Sequence, residues 1–204
     1  MTRIGVLALQ GDFREHVAAL KRLGVEAHEV RVPSDLRDVD GLIIPGGEST
    51  VMGKLMIEYA LAEPLRDMIA SGMPTWGTCA GLILLSRETD NGLAGQPLLA
   101  ALNIRTSRNA FGPQRASFET DLHIPALGET PYHAVFIRAP AIESVGEGVE
   151  VLARLDDVNG QAGPIVAVRQ GSLLGSAFHP EVTGDLRFHD YFLGVVRDAH
   201  APVR

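Results

Sequence analysis

The chain has 204 residues, of which 46% are hydrophobic and 21% charged, with a formal net charge of −7 at pH 7. This length fits one domain, residues 1–204, with a sizeable buried core. The negative charge and the lack of a basic run argue against a nucleic acid partner. The single cysteine excludes an intrachain disulfide and a cysteine-based metal site. No stretch has the length of a membrane span or a signal-peptide core, so we expect a cytoplasmic protein without a membrane partner.

Short apolar runs alternate with helical patterns through the first half of the chain. Strands that are apolar throughout and separated by helices predict a mostly parallel sheet covered by helices on both faces, which is a three-layer α/β architecture. Reactive residues on such a sheet gather at the carboxyl ends of the strands. The predicted strands are residues 4–9, 25–32, 42–44 and 74–77, and the predicted helices are 13–24, 51–70 with a break near Pro64, and 80–87.

The second half consists of strand-like segments with short connections, a pattern that predicts antiparallel strands added to the sheet. A final amphipathic helix carries Phe188, Phe192 and Val195 or Val196 at helical spacing. The predicted strands are residues 102–106, 116–124, 133–137, 149–155, 165–169 and 173–177, and the predicted helix is 185–197.

The single cysteine lies in the motif Gly77-Thr78-Cys79-Ala80-Gly81, between two apolar segments. Small residues two before and two after Cys79 permit the sharp strand-to-helix turn that projects a nucleophile into a cleft. The N–H of Ala80 would then face a developing oxyanion at a helix N-terminus, which also favours a thiolate. The alternative is an inert cysteine in the core, so the rest of the case depends on other parts of the chain.

His179 is the candidate base for Cys79, because a catalytic cysteine needs a base and a group that orients the base. It follows the apolar run 173–178, which places it at a strand end, and Glu181 lies two residues further on. Residues two apart in an extended segment point the same way, so Glu181 can hold the imidazole of His179. A surface turn is the competing interpretation of this His-Pro-Glu sequence.

A glycine-rich loop, Pro45-Gly46-Gly47-Glu48-Ser49-Thr50, follows the predicted strand 42–44. Its glycines let the backbone approach a ligand, and their N–H groups can line an anion or oxyanion site, although a tight turn is the simpler alternative. A phosphate loop is excluded, because Gly53 comes one residue too late and Leu55 stands where a serine or threonine is required. Ser49 is not in a Gly-x-Ser-x-Gly motif, so a serine hydrolase is excluded as well.

Two further segments place an arginine in or beside an apolar stretch, where a carboxylate partner is expected. Arg108 begins the segment Arg108-Asn109-Ala110-Phe111-Gly112, and Arg138 lies within Phe136-Ile137-Arg138-Ala139-Pro140. From these residues alone, a structural ion pair is the simplest interpretation of each arginine.

These motifs together resemble class I, triad-type glutamine amidotransferase domains, and more closely the family of glutaminase subunits of pyridoxal 5′-phosphate synthases. The resemblance extends from Arg3 to about Val196 and implies a flavodoxin-like fold. Pro113 departs from it, because the family usually has an arginine there, and proline removes a donor and a charge and stiffens the loop after Gly112. The matching motifs are Gly5–Gly11, Pro45–Thr50, Gly77–Gly81, Arg108–Gly112, Phe136–Pro140 and His179–Glu181.

The resemblance implies that Cys79 attacks the side-chain amide of L-glutamine, forms a thioester and releases ammonia. His179 would act as general base and then as general acid, with Glu181 orienting it. The backbone N–H groups of Gly47 and Ala80 would form the oxyanion hole. An arginine suits the α-carboxylate of glutamine, and a carboxylate or backbone carbonyl suits its α-ammonium. The implied substrate contacts are Gly47, Glu48, Ser49, Arg108, Ile137 and Arg138.

The resemblance also implies a partner. In the family, ammonia passes to a (β/α)₈-barrel pyridoxal 5′-phosphate synthase subunit, and the glutaminase alone has low activity. Gln10 and Gly11, near the rim of the active site, are expected at or close to that contact. The product forms on the partner, so this chain is expected to need neither cofactor nor metal. Two alternatives stay open: a glutaminase that serves another synthase, such as the one making imidazole glycerol phosphate, and a catalytically silent regulatory subunit.

Overall fold

A computed structural model of the chain describes residues 2–92, 95–108, 117–156 and 160–201. Strands and helices alternate through the first half, and strands predominate in the second half, as the sequence predicts. In chain order the elements are β1 (Arg3–Leu7), α1 (Phe13–Arg22), β2 (Glu26–Val30), β3 (Gly41–Ile44), α2 (Ser49–Glu58), α3 (Ala62–Ala70), β4 (Thr75–Thr78), α4 (Ala80–Leu85), β5 (Ser86–Asp90), β6 (Leu102–Ser107), β7 (Ser117–Leu122), β8 (Tyr132–Ile137), β9 (Ala141–Val145), β10 (Glu150–Arg154), β11 (Ile165–Gln170), β12 (Leu173–Ser176) and α5 (Arg187–Ala199).

The large sheet has the strand order β2-β1-β3-β4-β12-β11-β9-β6-β5, with β10 paired to β11. The strands from β2 to β12 in this order are parallel, so β12 joins the first-half strands although it comes late in the chain. Antiparallel pairing then connects β12, β11, β9 and β6, and β5 pairs with β6 in parallel. β7 and β8 form a separate antiparallel ribbon. The predicted α/β class, with antiparallel additions in the second half, is confirmed.

Two neighbouring residues of β4 show how helices cover both faces of the sheet. The indole of Trp76 packs on Phe188 of α5 with ring centroids 5.2 Å apart, and on His16 of α1 at 5.6 Å. Gly77 points to the opposite face, because successive residues of a strand alternate. A β-carbon at Gly77 would lie 2.5 Å from the carbonyl group of Gly81 in α4. Helices α1 and α5 therefore cover one face, and α4 covers the other.

The helical region predicted at residues 51–70 is two helices, α2 and α3. After α2, Ala60 adopts a left-handed φ of 55°. Its N–H donates to the carbonyl of Ile57, and the N–H of Leu61 donates to Met56 at 2.8 Å, which is a Schellman ending. Pro64 lies in the first turn of α3, where proline is tolerated. The predicted break is thus real, and it comes just before the proline.

Two strands, β5 and β9, lie outside the predicted ones, and the helix after Cys79 is shorter than predicted. α4 ends at Leu85 instead of residue 87, because Ser86 is extended with ψ of 149° and its hydroxyl donates to Ile83 at 2.7 Å. β9 has no alternating pattern that would have predicted it. At the ends of the chain, β1 stops at Leu7 rather than residue 9, and α5 begins at Arg187 rather than 185. No helix in the described part of the chain is long and apolar enough to span a membrane.

Candidate active site

Four neighbouring parallel strands, β1, β3, β4 and β12, end at the same edge of the sheet, and the predicted site residues meet there. A cavity of about 390 Å³ opens at this edge. Every predicted site residue except Glu181 lines the cavity, and the Glu181 side chain lies fully buried behind His179. The lining residues are Gln10, Gly11, Asp12, Gly47, Glu48, Ser49, Cys79, Ala80, Ile83, Arg108, Ile137, Arg138 and His179.

Cys79 forms the sharp turn between β4 and α4. Its φ of 47° and ψ of −102° are rare for a residue with a side chain, and such strain is typical of a nucleophile turn. The Cys79 N–H donates to the carbonyl of Ser176 at 2.8 Å, which ties the turn to the end of β12. Its Sγ lies 3.9 Å from the carbonyl oxygen of Ile137. The thiol is thus held in the cavity wall by two strand ends.

The glycines that flank Cys79 are required by close packing. A β-carbon at Gly77 would lie 2.5 Å from the carbonyl oxygen of Gly81, and one at Gly81 would lie 1.9 Å from that of Ile44. Real β-carbons do not approach backbone oxygens so closely. The small residues predicted to permit the turn therefore let α4 sit directly on the ends of β3 and β4.

His179 follows β12 and is paired with Glu181. Its backbone N–H donates to Val135 at 2.8 Å, and Nδ1 lies 2.6 Å from Oε1 of Glu181. Burial lowers the pKa of His179, but the proximity of Asp12, Cys79 and Glu181 outweighs burial and raises it far above its usual value. Burial raises the pKa of Glu181, and the hydrogen bond with His179 opposes that shift. This arrangement stabilises an imidazolium on His179.

Asp12 is a second carboxylate beside His179 that the sequence analysis missed. Its Oδ2 lies 3.4 Å from Nδ1 of His179, and its N–H donates to Gly46 at 3.2 Å. The approach depends on glycine, because a β-carbon at Gly11 would lie 1.8 Å from the Gly46 oxygen. The position of Asp12, just after the carboxyl end of β1, is the signal that could have identified it.

Glu48 connects the glycine-rich loop to three other segments. Its N–H donates to Oε1 of Gln10 at 2.6 Å, and its carboxylate caps α2 by accepting the N–H groups of Thr50 and Val51 at 3.2 and 2.8 Å. Nη2 of Arg108 lies 2.8 Å from the same carboxylate. Burial raises the pKa of Glu48, but these hydrogen bonds and the charge of Arg108 lower it below its usual value overall. Glu48 therefore stays ionised at the cavity.

The two predicted arginines differ in their partners. Arg108 has the expected carboxylate partner in Glu48 and also donates to the hydroxyl of Thr50 at 3.0 Å. Arg138 is exposed, has a left-handed φ of 45°, and has no ion pair with any residue that the structure describes. The other predicted substrate contacts, Ser49 and Ile137, line the same cavity. The rest of the arginine motif, residues 109–112, and the positions of Pro113 and Gln114 lie outside the described residues.

Within the described ranges, Asp12, His179 and Glu181 are the one group that brings three potential metal-ligating atoms within 4.8 Å of one another. The hydrogen bond from His179 to Glu181, however, already uses Nδ1. Nε2 of His179 is buried without a regular hydrogen-bond partner among the described residues. Nε2 is therefore the atom of His179 that is available to exchange a proton with the thiol of Cys79.

A second polar group, which the sequence analysis also missed, lies behind the His179–Glu181 pair. His16 is fully buried, with Nδ1 3.0 Å from Nε2 of His189 and Nε2 3.3 Å from the hydroxyl of Thr78. Burial and the neighbouring His189 lower the pKa of His16 well below its usual value, and burial lowers that of His189 to about 4. Both histidines are therefore neutral at pH 7. The signal for His16 is its place on the apolar face of α1, where a histidine needs a buried partner.

Comparisons with known proteins show which family this chain is similar to. Residues 6–198 match the SNO glutamine amidotransferase family. The chain is 58% identical over 193 residues to a pyridoxal 5′-phosphate synthase subunit PdxT of Herpetosiphon aurantiacus, covering 94% of this chain and 99% of that protein. It is 56% identical to the PdxT of Clavibacter michiganensis subsp. michiganensis, covering 96% and 91%. A solved structure described as a glutamine amidotransferase has a TM-score of 0.86 and 52% identity, covering 95% of this chain and 98% of that one.

Proposed function

This chain belongs to the SNO glutamine amidotransferase family, and we propose that Cys79, His179 and Glu181 are its catalytic triad. The protein hydrolyses L-glutamine to glutamate and ammonia, and the ammonia is used to make pyridoxal 5′-phosphate. The observation that carries the triad proposal is the strained Cys79 turn, which shares one cavity with the 2.6 Å His179–Glu181 pair.

In the proposed mechanism, Nε2 of His179 takes the thiol proton of Cys79 before the attack, which gives the imidazolium that the site stabilises, and the Sγ thiolate then attacks the side-chain amide carbon of glutamine. His179 then donates that proton to the leaving nitrogen, ammonia departs, and a γ-glutamyl thioester remains on Cys79. Water attacks the thioester as His179 accepts its proton, and glutamate and the free thiol form. Glu181 holds Nδ1–H of His179 throughout, so Nε2 stays directed at the reacting atoms.

We assign the oxyanion hole to the backbone N–H groups of Gly47 and Ala80. Both residues line the cavity that holds the thiol, Gly47 in the loop after β3 and Ala80 at the start of α4. Donors at those positions would stabilise the negative oxygen of both tetrahedral intermediates, and removal of one such donor commonly costs about 3–4 kcal/mol of transition-state stabilisation.

Glutamine is proposed to bind with its α-ammonium near the ionised carboxylate of Glu48, whose side chain is 43% exposed. Arg108 holds that carboxylate in place. Arg138, which has no carboxylate partner in the described part of the chain, is free to meet the α-carboxylate of glutamine. Gly47, Ser49 and Ile137 complete the set of proposed contacts, because each lines the cavity that also holds these charged groups and the thiol.

The protein works with a synthase subunit, as the name of its relatives implies. We propose that this subunit is a (β/α)₈ barrel and that it docks near Gln10 and Gly11 at the rim of the cavity. The charge of −7 gives no support to a nucleic acid partner. A cytoplasmic location is proposed, because a free catalytic thiol persists in a reducing compartment.

The experiment is an assay of glutamate release from L-glutamine, with and without a purified pyridoxal 5′-phosphate synthase subunit. The proposal predicts that the synthase subunit stimulates wild-type protein and fails to stimulate Cys79→Ala. Stimulation by imidazole glycerol phosphate synthase instead would assign the chain to another pathway. A folded wild-type protein that releases no glutamate with either synthase would leave only the regulatory alternative.

A further inference from the structure

We propose that His16 is a positioning residue of the active site: its Nε2–H holds the second carboxylate oxygen of Glu181, and His189 fixes the tautomer of His16 that makes this possible. The inference rests on the proposed triad and extends it by two buried histidines. His16 does not line the cavity, so its effect on the reaction passes through Glu181 and then His179.

The two carboxylate oxygens of Glu181 have different surroundings. Oε1 is 2.6 Å from Nδ1 of His179, whereas Oε2 faces Nε2 of His16 at 3.4 Å. Oε2 is buried and has no regular hydrogen bond in the described part of the chain, and the side chains of His16 and Glu181 are both fully buried. A buried carboxylate oxygen that remains unpaired is costly. The carboxylate of Glu181 therefore favours the tautomer of His16 that carries its proton on Nε2. Long contacts in a free enzyme commonly tighten when substrate binds.

The partner of the other ring nitrogen decides the tautomer. Nδ1 of His16 lies 3.0 Å from Nε2 of His189, and Nδ1 of His189 is buried without a partner among the described residues. If His16 carried its proton on Nδ1, it would donate to His189, and the proton of His189 would sit on its unpaired Nδ1. The lone pair on Nε2 of His16 would then face the Glu181 carboxylate.

The opposite arrangement satisfies more groups. Nε2–H of His189 donates to Nδ1 of His16. Nε2–H of His16 then has the hydroxyl of Thr78 as an acceptor at 3.3 Å and lies beside Oε2 of Glu181, which is 3.4 Å from Nε2. Only one weak acceptor, Nδ1 of His189, is then left unpaired. Both rings are neutral, since His16 is fully buried and neither histidine has room for an uncompensated charge.

Packing against Trp76 fixes the ring orientations of His16 and His189. The His189 ring meets the edge of Trp76 with centroids 5.0 Å apart, and the His16 ring lies 5.6 Å from the same indole. Both histidines are completely buried. Two helices, α1 and α5, thereby bring a hydrogen-bonded pair of histidines to the back of Glu181, with Nε2 of His16 3.4 Å from Oε2.

The first test is spectroscopic and uses the wild-type protein. Long-range ¹H–¹⁵N correlation spectra of protein labelled at its histidine nitrogens distinguish Nε2–H from Nδ1–H tautomers and from the imidazolium. At pH 7, the proposal predicts neutral Nε2–H tautomers for both His16 and His189. An Nδ1–H tautomer or an imidazolium at His16 would overturn it, whatever the activity of the protein.

The second test compares His16→Leu, which removes the donor, with His16→Gln, whose amide nitrogen can replace Nε2. With glutamine as substrate and the synthase subunit present, we expect kcat to fall roughly tenfold or more in His16→Leu, the size of effect that an unpaired buried carboxylate oxygen produces, with KM nearly unchanged. His16→Gln should restore most of the loss. Equal kcat values for His16→Leu and wild type would refute the inference.

The matched control is His28→Leu, which removes a half-buried histidine that bonds to the carbonyl of Asp35 at 2.8 Å, away from the cavity. It should keep the wild-type kcat. If it lost as much kcat as His16→Leu at equal folded fraction, general destabilisation would explain both, and the positioning role would fail. Wild-type activity that depends on Cys79 in the same assay shows that the triad itself stands, so the two proposals fail separately.

Discussion

Gly81 lies against the carbonyl oxygen of Ile44 so closely that a β-carbon on it would come within 1.9 Å of that oxygen. Ile44 ends β3, and Gly81 is in the first turn of α4, directly after the nucleophile turn. The contact therefore sets the distance between the glycine-rich loop that follows β3 and the thiol of Cys79. Backbone packing thus positions the two sides of the proposed oxyanion hole.

Gly81→Ala is expected to lower the free energy of unfolding by about 2–3 kcal/mol, because the added methyl group overlaps backbone that cannot move without displacing β3. Gly194→Ala is the matched control, since Gly194 is in the middle of α5 and its nearest side-chain atom would be 3.8 Å from the new β-carbon. That change should stabilise by about 0.5–1 kcal/mol through helix propensity. Urea unfolding of both variants measures the difference, and an unchanged midpoint in Gly81→Ala would contradict the packing argument.

The triad variants should show a graded loss of glutamate release. Cys79→Ala and His179→Asn each remove a group that forms or breaks bonds, so each should lower kcat by about 10³-fold or more. Glu181→Gln leaves the base in place, so its loss of kcat should be about tenfold to a hundredfold smaller than that of the other two variants. Glu119→Gln, an exposed carboxylate on β7, serves as the control and should leave the rate unchanged. A Glu181 variant as inactive as Cys79→Ala would mean that the carboxylate does more than orient.

Glu48→Gln should weaken glutamine binding more than it slows the reaction. The change removes the charge that is proposed to meet the α-ammonium and that pairs with Arg108, so we expect KM to rise about tenfold with kcat nearly unchanged. Asp90→Asn breaks the exposed pair with Arg105 and should change neither constant. Steady-state kinetics over a range of glutamine concentrations separates the effects. A fall in kcat without a change in KM would contradict this binding role and would mean that Glu48 acts in the chemical step.

The buried histidines predict loss of stability in acid. His189 has its pKa lowered to about 4 from 6.5 in the folded state, so below pH 6.5 the unfolded chain binds a proton that the folded protein does not. Stability should therefore fall as pH decreases from 6.5 towards 4, by up to about 1.4 kcal/mol per pH unit for this group. His189→Gln removes the titration and keeps a donor, so its stability should fall less steeply over that window. Parallel curves for the two proteins in urea unfolding would contradict the predicted neutrality of His189.

Most of the fold follows from patterns that the sequence displays. Apolar strands separated by helices predict the parallel part of the sheet, and the position of reactive residues at strand ends predicts that Cys79, Gly47 and His179 meet. The sequence does not show that β12 inserts beside β4. The pairing of β12 with β4 joins segments that are far apart in the sequence, and it brings His179 to Cys79.

The site residues that the sequence did not predict contact side chains that are far from them in the sequence. Asp12 and His16 come from α1 and its cap, whereas the side chains that they face are near residue 180. A histidine on the apolar face of a helix gives no sign of its partner until the helices are packed. The strand β5 escaped for a local reason: its residues, Ser86–Asp90, are polar and follow the six-residue helix α4 directly, so neither an apolar run nor a turn marks the start of a strand.

The most direct measurement intercepts the thioester. With L-glutamine, the synthase subunit and added hydroxylamine, the wild-type protein should form γ-glutamyl hydroxamate at the expense of glutamate, because hydroxylamine attacks the acyl group on Cys79 in competition with water. Cys79→Ala should form neither product above background. Release of glutamate by Cys79→Ala at the wild-type rate, or glutamate formation by wild type that hydroxylamine never intercepts, would contradict a covalent reaction at Cys79.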